Sequence, residues 1–287
     1  MNSTRHDIVR HIAEQISSLY SPEECRIIAR TVAAHLRGED PIKFMVDPHE
    51  QIEIEGVDEA ISDLISARPL QYILGHTEFY GLELSIREGA LIPRPETEEL
   101  VDWVVSLAQT LSTPEPRILD LCTGSGCIAL AIKSALPQAS VTAVDLSDDA
   151  LVIARRNKER LNLDVEILKD DVLQGVKSLS GREFDIIVSN PPYIPLSEKS
   201  AMHHNVVDHE PHMALFVEDH DPLIFYRSIA RSAEQMLCCG GYLLFEIHEL
   251  LHAETSALLR AEGFQDVELR HDFRDKPRMI CSRKRIR

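Results

Sequence analysis

The amino-acid sequence predicts an α/β protein: a doubly wound, Rossmann-like sheet, preceded by a small helical bundle and a β-hairpin linker. The first observation is that short apolar runs alternate with amphipathic segments of helical length from Arg117 onward, which is typical of a mostly parallel sheet. The second is that apolar residues before residue 76 recur at helical spacing, between helix start and stop signals. We expect three parts, at residues 1–75, 76–92 and 93–287.

The first part is predicted to be a bundle of capped helices. One helical face holds Ile8, Ile12, Ile16 and Leu19. Residues 21–24 (Ser-Pro-Glu-Glu) form a capping box with proline at the first helical position, and this helix is expected to end at Gly38. Residues 47–50 (Asp-Pro-His-Glu) repeat that start signal. A further amphipathic turn carries Ile61, Leu64 and Ile65.

A short β-prone stretch separates the bundle from the rest of the chain. Pro69 interrupts the helical pattern, and residues 71–86 favour strands with a turn at Gly81. We interpret this stretch as a hairpin linker. The helical period resumes over residues 95–111, with an inward face formed by Leu100, Val104 and Leu107.

The alternating region predicts both the strands and the helices of the sheet. Strands are expected near residues 117–121, 141–145, 165–168, 184–189, 242–247, 266–270 and 278–282, and helices near 126–135, 147–161, 222–238 and 249–262. In such sheets, ligands bind beyond the carboxyl ends of the strands. Motifs that follow a strand are therefore the candidates for function.

One such motif is a glycine turn at residues 120–126 (Asp-Leu-Cys-Thr-Gly-Ser-Gly), which lets a ligand approach the backbone closely. Asp145 ends the next strand, where its carboxylate can accept hydrogen bonds from both ribose hydroxyls of an adenosine. Only Gly124 and Gly126 of the dinucleotide fingerprint are present, so a nucleoside without phosphates, such as S-adenosylmethionine, is favoured over a pyrophosphate. The alternatives are an ordinary tight turn and helix capping by Asp145, a task that Ser147 can also perform.

The second motif is Asn-Pro-Pro-Tyr at residues 190–193, directly after the apolar run 184–189. Two prolines make a rigid, extended corner, because each fixes φ and neither has an N–H to donate. The corner exposes backbone carbonyls, Asn190 adds a side-chain carbonyl, and Tyr193 adds an aromatic face. Acceptors beside an aromatic plane suit a planar NH2 group.

Composition excludes several classes of protein. With 47 acidic and 30 basic residues, the net charge is −17, which argues against a duplex-DNA-binding face. The basic residues near the end, Arg283, Lys284, Arg285 and Arg287, are interpreted as a solvated tail. The chain has no apolar run long enough to span a membrane and its N-terminal segment is polar, so we expect a cytoplasmic protein.

Cysteines and histidines do not predict a metal site or a disulfide framework. Six cysteines include no C-x-x-C pair, so buried thiols are the favoured interpretation. The spacing of the histidines fits no standard ligand pattern; they are His203, His204, His209, His212 and His220.

Taken together, these motifs resemble the release-factor glutamine methyltransferases, the HemK/PrmC family of class I S-adenosylmethionine-dependent enzymes. The resemblance covers nearly the whole chain. It includes residues 68–75 (Arg-Pro-Leu-Gln-Tyr-Ile-Leu-Gly) with Phe79, and residues 91–98 (Leu-Ile-Pro-Arg-Pro-Glu-Thr-Glu). The glycine turn, Asp145 and the Asn-Pro-Pro-Tyr motif follow in the family's order, as do residues 210–211 (Glu-Pro) and 214–215 (Ala-Leu).

The resemblance implies methylation of the glutamine in the Gly-Gly-Gln motif of class I peptide-chain release factors, with the helical domain and linker as the docking surface. It implies that the cofactor S-adenosylmethionine is bound by Asp120, Cys122, Thr123, Gly124, Ser125, Gly126, Asp145, Asp171, Val172 and Asn190. The resemblance also implies that Asn190, Pro191 and Tyr193 are the catalytic residues, and that they bind the substrate amide together with Pro192.

Three departures from the family pattern and three side chains need separate interpretation. Cys122 and His248 stand where the family commonly has glycine, and residues 216–223 replace a stretch that is usually glycine-rich.

Arg94 and Glu210 are candidates for the pocket mouth or for a structural ion pair. Glu246, at a strand end, is interpreted as a packing or loop-anchoring residue.

Other functions remain open at this point. The Asn-Pro-Pro-Tyr corner is shared with adenine-N6 methyltransferases, so it indicates the chemistry more than the substrate. One alternative is amino-group methylation of nucleic acid, at adenine N6 or at guanine. The others are glutamine methylation of a ribosomal protein and a catalytically silent cofactor-binding partner of the translation machinery.

Overall fold

The computed structural model describes residues 2–286 of the chain. It divides into two compact units. The first contains the residues up to His76 and the segment His203–His209, and the second contains Thr77–Met202 and the residues from Glu210 onward. Within the described residues, no helix combines the length and apolar character needed to cross a membrane.

The first unit is mainly helical. Its elements are β1 (Asn2–Thr4), α1 (Arg5–Gln15), α2 (Pro22–Arg37), a 3-10 helix (Lys43–Met45), β2 (Gln51–Glu53), α3 (Val57–Ile65) and α4 (Leu70–Leu74). The predicted capping box is confirmed: Ser21 and Glu24 exchange side-chain-to-backbone hydrogen bonds. The predicted helix end is also confirmed, since Gly38 is the C-cap of α2 and has a left-handed φ of 68°. The core is formed by the apolar faces of α1, α2 and α3.

The predicted helix start at residues 47–50 is wrong. Asp47 Oδ1 instead accepts a hydrogen bond from the His49 N–H at 3.3 Å, a local turn that competes with helix formation. Glu50 pairs with the buried Arg5 at 2.8 Å, and the chain continues into β2, which pairs antiparallel with β1. Leu19 also departs from the prediction, since it follows the end of α1 and is 44% exposed.

The predicted hairpin around Gly81 consists of β3 (His76–Phe79) and β4 (Leu82–Ser85), which form a two-stranded sheet. The sequence predicts a strand-prone stretch from residue 71, but residues 70–74 form the short helix α4, which has Pro69 as its N-cap and Gly75 as its C-cap. Gly75 has a φ of 72°, and this left-handed conformation ends the helix before the hairpin begins.

The remaining elements build the sheet and its covering helices. They are α5 (Pro95–Ala108), β5 (Arg117–Leu121), α6 (Cys127–Ala135), β6 (Ser140–Asp145), α7 (Asp148–Leu161), β7 (Val165–Lys169), β8 (Phe184–Ser189), β9 (Ile194–Pro195), α8 (His204–Val207, in the first unit), α9 (His212–Leu215), β10 (Phe216–Val217), α10 (Ile224–Met236), β11 (Leu237–Glu246), α11 (His252–Ala261), β12 (Gln265–His271) and β13 (Pro277–Arg283). Short 3-10 helices span Val172–Gln174, Lys177–Leu179, Leu196–Ala201 and Glu249–Leu251.

The predicted fold class is confirmed by a seven-stranded sheet in the order β12-β13-β11-β8-β5-β6-β7. The central pairs are parallel, and β13 runs antiparallel to both β11 and β12. The chain winds outward from β5 through β6 to β7 and then returns to place β8 on the other side of β5. Such a reversal leaves a crevice at the carboxyl ends of the two central strands.

Asn157 ties the glycine turn to the hairpin that precedes the sheet. This side chain of α7 is fully buried. Its Oδ1 accepts from the Ser85 N–H at 2.7 Å, and its Nδ2 donates to the carbonyls of Ser85 and Ser125, each at 3.0 Å. One side chain therefore holds β4 and the glycine turn against the same helix.

We predict that Asn157→Ala lowers the free energy of unfolding by roughly 3 kcal/mol, because buried backbone groups that lose their partners cost about 1–3 kcal/mol each. Chemical denaturation followed by the fluorescence of Trp103, the chain's single tryptophan, measures this loss. Glu159→Ala, on the exposed face of the same helix, is the matched control. Equal unfolding midpoints for the two variants would contradict the anchoring role.

Candidate active site

A cavity lies at the carboxyl ends of β5, β6 and β8, where both sequence motifs meet. Seven of the predicted site residues line it: Cys122, Gly124, Asp145, Asp171, Val172, Asn190 and Pro192. The other predicted residues lie within two positions of those seven in the chain and are not among the cavity-lining residues: Asp120, Thr123, Ser125, Gly126, Pro191 and Tyr193. The fold thus brings the glycine turn, the acidic strand end and the proline corner to one place.

Asp145 is held rigidly at the edge of the cavity. Its Oδ2 accepts from the Gly124 N–H at 2.8 Å and its Oδ1 accepts from the Ser147 N–H at 2.9 Å. Ser147, and not Asp145, caps α7 by accepting from the Ala150 N–H. The carboxylate is therefore available to the cavity, and burial raises the pKa of Asp145.

The glycine turn uses its two glycines in different ways. Gly124 has a φ of 56°, and a Cβ built there would meet no protein atom within 4 Å, so its backbone is open to the cavity. At Gly126, a Cβ would lie 3.2 Å from both the Ala154 Cβ and a Leu130 methyl group. Gly126 therefore serves the close packing of α6 against α7. Cys122 also has a left-handed φ, of 60°, which costs a residue with a Cβ more than it costs glycine.

Asp120 holds the glycine turn in place through hydrogen bonds. It is fully buried, and its Oδ2 accepts from the Thr123 hydroxyl at 2.5 Å and from the Ala129 N–H at 3.2 Å. Its other carboxyl oxygen is buried without a hydrogen-bond partner among the described residues. Burial raises the pKa of Asp120 from 3.8 to about 7, against the lowering effect of these hydrogen bonds.

The Asn-Pro-Pro-Tyr corner begins directly where β8 ends. Asn190 is half-buried, and its Nδ2 lies 3.5 Å from the Thr97 hydroxyl. Pro191 and Pro192 are buried, and the Tyr193 hydroxyl donates to Oε1 of the buried Glu246 at 3.0 Å. Burial, together with the negative charge of Glu246, raises the pKa of Tyr193, so its hydroxyl stays protonated.

Arg94 and Glu210 form an ion pair. A structural ion pair is one of the two interpretations that the sequence allows for these residues, the other being a role at the pocket mouth. Their side chains meet at 2.6 Å, and the carboxylate of Glu210 is 1% exposed. The second carboxyl oxygen accepts from the Ile92 N–H at 3.1 Å. The pair therefore holds the segment that leads from the cavity wall at Ala90 and Leu91 into α5.

Sequence reasoning missed other parts of the cavity wall. They are Gly89, Ala90, Leu91, Leu146, Ser147, Ala150, Asp170, Leu173, Pro211, Met213, Ala214 and Phe225. Leu146 and Asp170 directly neighbour the predicted residues Asp145 and Asp171, so their position in the chain could have identified them as cavity-lining residues. Phe225 lies at the start of α10, far along the chain, and no local pattern marks it.

Three of the five histidines in residues 203–220 have separate partners. His203 contacts Asn205 at 2.9 Å, His204 contacts Asp208 at 3.2 Å, and the His209 ring contacts the Ser66 carbonyl at 2.9 Å. Across residues 2–286, no group of three or more His, Cys, Asp or Glu side chains is arranged to hold a metal ion.

Comparison with known proteins agrees with this architecture. The family model "Methyltransferase small domain" matches residues 104–213. A methyltransferase structure from Pyrococcus furiosus is 20% identical, covers 72% of this chain and 90% of that chain, and has a TM-score of 0.52. This likeness shows the fold, a doubly wound sheet of the kind found in methyltransferases, and the family model places a methyltransferase domain over the central part of the chain.

Two curated relatives show to which family of methyltransferases the chain belongs. A release factor glutamine methyltransferase from Bacteroides thetaiotaomicron is 38% identical over 96% of this chain and 98% of its own length. Another from Flavobacterium psychrophilum is 44% identical over 80% of this chain and 81% of its own length. The chain belongs to the release factor glutamine methyltransferase family, which confirms the resemblance seen in the sequence motifs.

Asp120 should make the stability of the protein depend on pH. Between about pH 4 and pH 7 the unfolded chain has released the Asp120 proton that the folded protein still holds, so rising pH favours unfolding. The stabilisation by protonated Asp120 is complete below pH 4 and is lost as the pH rises to about 7. We predict that the difference in unfolding free energy, wild type minus Asp120→Asn, falls by roughly 4 kcal/mol across this range. Denaturant titrations at several pH values measure it, and a difference that does not change with pH would contradict the assignment.

Proposed function

We propose that this protein transfers a methyl group from S-adenosylmethionine to the side-chain amide nitrogen (N5) of the glutamine in the Gly-Gly-Gln motif of class I release factors. The observation that carries the proposal is the Asn-Pro-Pro-Tyr corner at the end of β8, which opens into the same cavity as Gly124 and Asp145. Membership of the family supports the choice of a release factor. Such an enzyme would work in the cytoplasm, where release factors act.

The cavity suits a positively charged nucleoside. Its described lining includes the carboxylates of Asp145, Asp170 and Asp171 and contains neither Lys nor Arg. This charge pattern disfavours phosphates and favours a ligand with a sulfonium and an amino group. Asp145 would accept hydrogen bonds from the ribose hydroxyls, and the apolar side chains of Val172 and Phe225 would contact the adenine ring.

The remaining predicted residues would act on the turn and on the acceptor. Asp120, Thr123, Ser125 and Gly126 would hold the turn in shape, with Cys122 beside the ligand. When bound, S-adenosylmethionine supplies a methyl group on a positively charged sulfur, which leaves as a neutral thioether. The protein's task is then to hold the acceptor nitrogen in line with that carbon–sulfur bond.

The acceptor is a poor nucleophile, because the lone pair of an amide nitrogen is delocalised into the carbonyl. The Asn190 side-chain oxygen and the Pro191 backbone carbonyl would accept hydrogen bonds from its N–H groups, while Pro192 and Tyr193 shape the pocket around the amide plane. These bonds strengthen as positive charge develops on the nitrogen, so they stabilise the transition state more than the ground state. One N–H proton leaves to solvent after the nitrogen–carbon bond has formed.

We assign substrate docking to the helical part of the chain, residues 1–75, with residues 76–92 as the linker. The alignment with the Bacteroides relative spans nearly the whole chain, which supports a role for this part in the same function. Its excess of acidic residues would complement a basic patch on a partner.

Intact-mass analysis of a purified class I release factor tests the proposal directly. The factor is incubated with this protein and S-adenosylmethionine, beside a variant whose Gly-Gly-Gln glutamine is replaced by alanine. We expect a gain of one methyl group that is absent in the variant. No gain, with S-adenosylmethionine still bound, would refute the proposed substrate and redirect the assay to ribosomal proteins and then to nucleic acid.

Two substitutions should distinguish the residue that binds the acceptor amide from the residue that binds the cofactor. Asn190→Ala should lower turnover by about 100- to 1000-fold and leave cofactor affinity within about threefold, since Asn190 mainly addresses the amide. Asp145→Ala should weaken cofactor binding by roughly 10- to 100-fold, because hydrogen bonds to a charged group contribute about 1.5–3 kcal/mol. Turnover assays and calorimetry measure the two effects. Full activity of the first variant, or an unchanged dissociation constant of the second, would remove that residue from its role.

A further inference from the structure

A chain of buried polar side chains runs behind the Asn-Pro-Pro-Tyr corner. Glu246 is the last residue of β11, and the register that pairs Phe245 with Ser189 places it beside the end of β8. Its Oε2 accepts from the Thr97 hydroxyl at 2.7 Å, and its Oε1 accepts from the Tyr193 hydroxyl at 3.0 Å. Thr97 in turn lies 3.5 Å from the Asn190 Nδ2. Glu246 and Thr97 are each 2% exposed.

The donors and acceptors along this chain can be assigned from chemistry. Each carboxyl oxygen of Glu246 accepts from one hydroxyl, Oε2 from Thr97 and Oε1 from Tyr193, and a threonine hydroxyl has a single hydrogen to donate. Because that hydrogen points at Glu246, the Thr97 oxygen can only accept from Asn190. The Asn190 group that faces Thr97 must therefore be its NH2, which leaves the carbonyl oxygen on the other side of the amide.

We propose that Glu246 is a positioning residue that sets the orientation of the Asn190 amide through Thr97. This inference rests on the proposed function, because it matters only if Asn190 must present an acceptor to the substrate. With the carbonyl outward, Asn190 recognises the N–H groups of a glutamine amide. With the amide reversed, its NH2 would face those N–H groups, and two donors repel each other.

The same carboxylate holds the far end of the corner. Tyr193 gives its only hydroxyl hydrogen to Glu246, so one buried group fixes both the first and the last residue of the motif. A glutamine side chain at position 246 could accept from only one of the two hydroxyls, because its other terminal atom is an NH2 donor. Isosteric replacement therefore tests the hydrogen-bond direction without removing volume.

The experiment compares turnover of the full-length protein on a release factor for wild type, Thr97→Val, Thr97→Ser, Glu246→Gln and Thr255→Val. Thr255 is a fully buried threonine in α11 whose hydroxyl donates to the Leu251 carbonyl at 2.8 Å. It is the matched control for the loss of a buried hydroxyl away from the cavity. Calorimetric titration with S-adenosylmethionine counts the folded sites in each preparation, so that rates are expressed per site.

Thr97→Val and Glu246→Gln should each lower kcat by roughly 10- to 100-fold, the size expected for a misplaced reacting group. The KM for the release factor and the cofactor dissociation constant should stay within about twofold. Thr97→Ser keeps the hydroxyl and should restore most of the turnover that the valine variant loses. Thr255→Val should lower stability without changing kcat per site.

Two results would overturn the inference while leaving the proposed function standing: wild-type kcat in both Thr97→Val and Glu246→Gln, or an equal loss in Thr97→Ser and Thr97→Val. If Thr97→Val does not fold, Glu246→Gln decides the matter alone. A wild-type protein that binds S-adenosylmethionine but leaves the release factor unmethylated would instead refute the proposed function, and this inference with it.

Discussion

The parallel pairing of β5 with β8 is the constraint on which the candidate active site depends. Leu121 pairs with Ser189, and the Ser189 hydroxyl donates to the Leu121 carbonyl at 2.6 Å. Both strands therefore end at the same level. The glycine turn follows one strand and the proline corner follows the other, so a single register brings the two halves of the cavity together. A shift by one residue would also turn buried side chains of β8 toward the opposite face of the sheet.

Two buried carboxyl groups hold the glycine turn and the proline corner in place by hydrogen bonds. Asp120 holds the glycine turn through Thr123 and the first turn of α6, and Glu246 holds the proline corner through Thr97 and Tyr193. Burial raises the pKa of both groups. Polar networks in a low-dielectric interior are costly when a partner is missing, and they impose one geometry when they are satisfied. The methyl-transfer function proposed for the cavity requires such fixed geometry, since positioning is its main task.

The predictions that succeeded rest on local physics. The strands β5 and β8 have the predicted bounds, because each is an apolar run that ends at a glycine or proline motif.

The prediction at residues 47–50 failed because a helix-start signal indicates only that a helix can begin there. Long-range pairing of Glu50 with Arg5 and of β2 with β1 favours a turn and a strand instead. Residues 70–74 form a helix for a related reason, since tertiary packing of Tyr72, which is 3% exposed, outweighs strand propensity.

The sequence by itself determined the fold class, the two motifs and the family, because turn chemistry and hydrophobic period are properties of neighbouring residues. Only the tertiary structure decided that Ser147 caps α7 and leaves Asp145 to the cavity, and that Phe225 and Ala90 complete the wall. It also decided that Thr97, Glu246 and Asn190 share one hydrogen-bonded chain. These residues come from α5, β11 and the end of β8, and their meeting depends on the order of strands in the sheet, which no local pattern encodes.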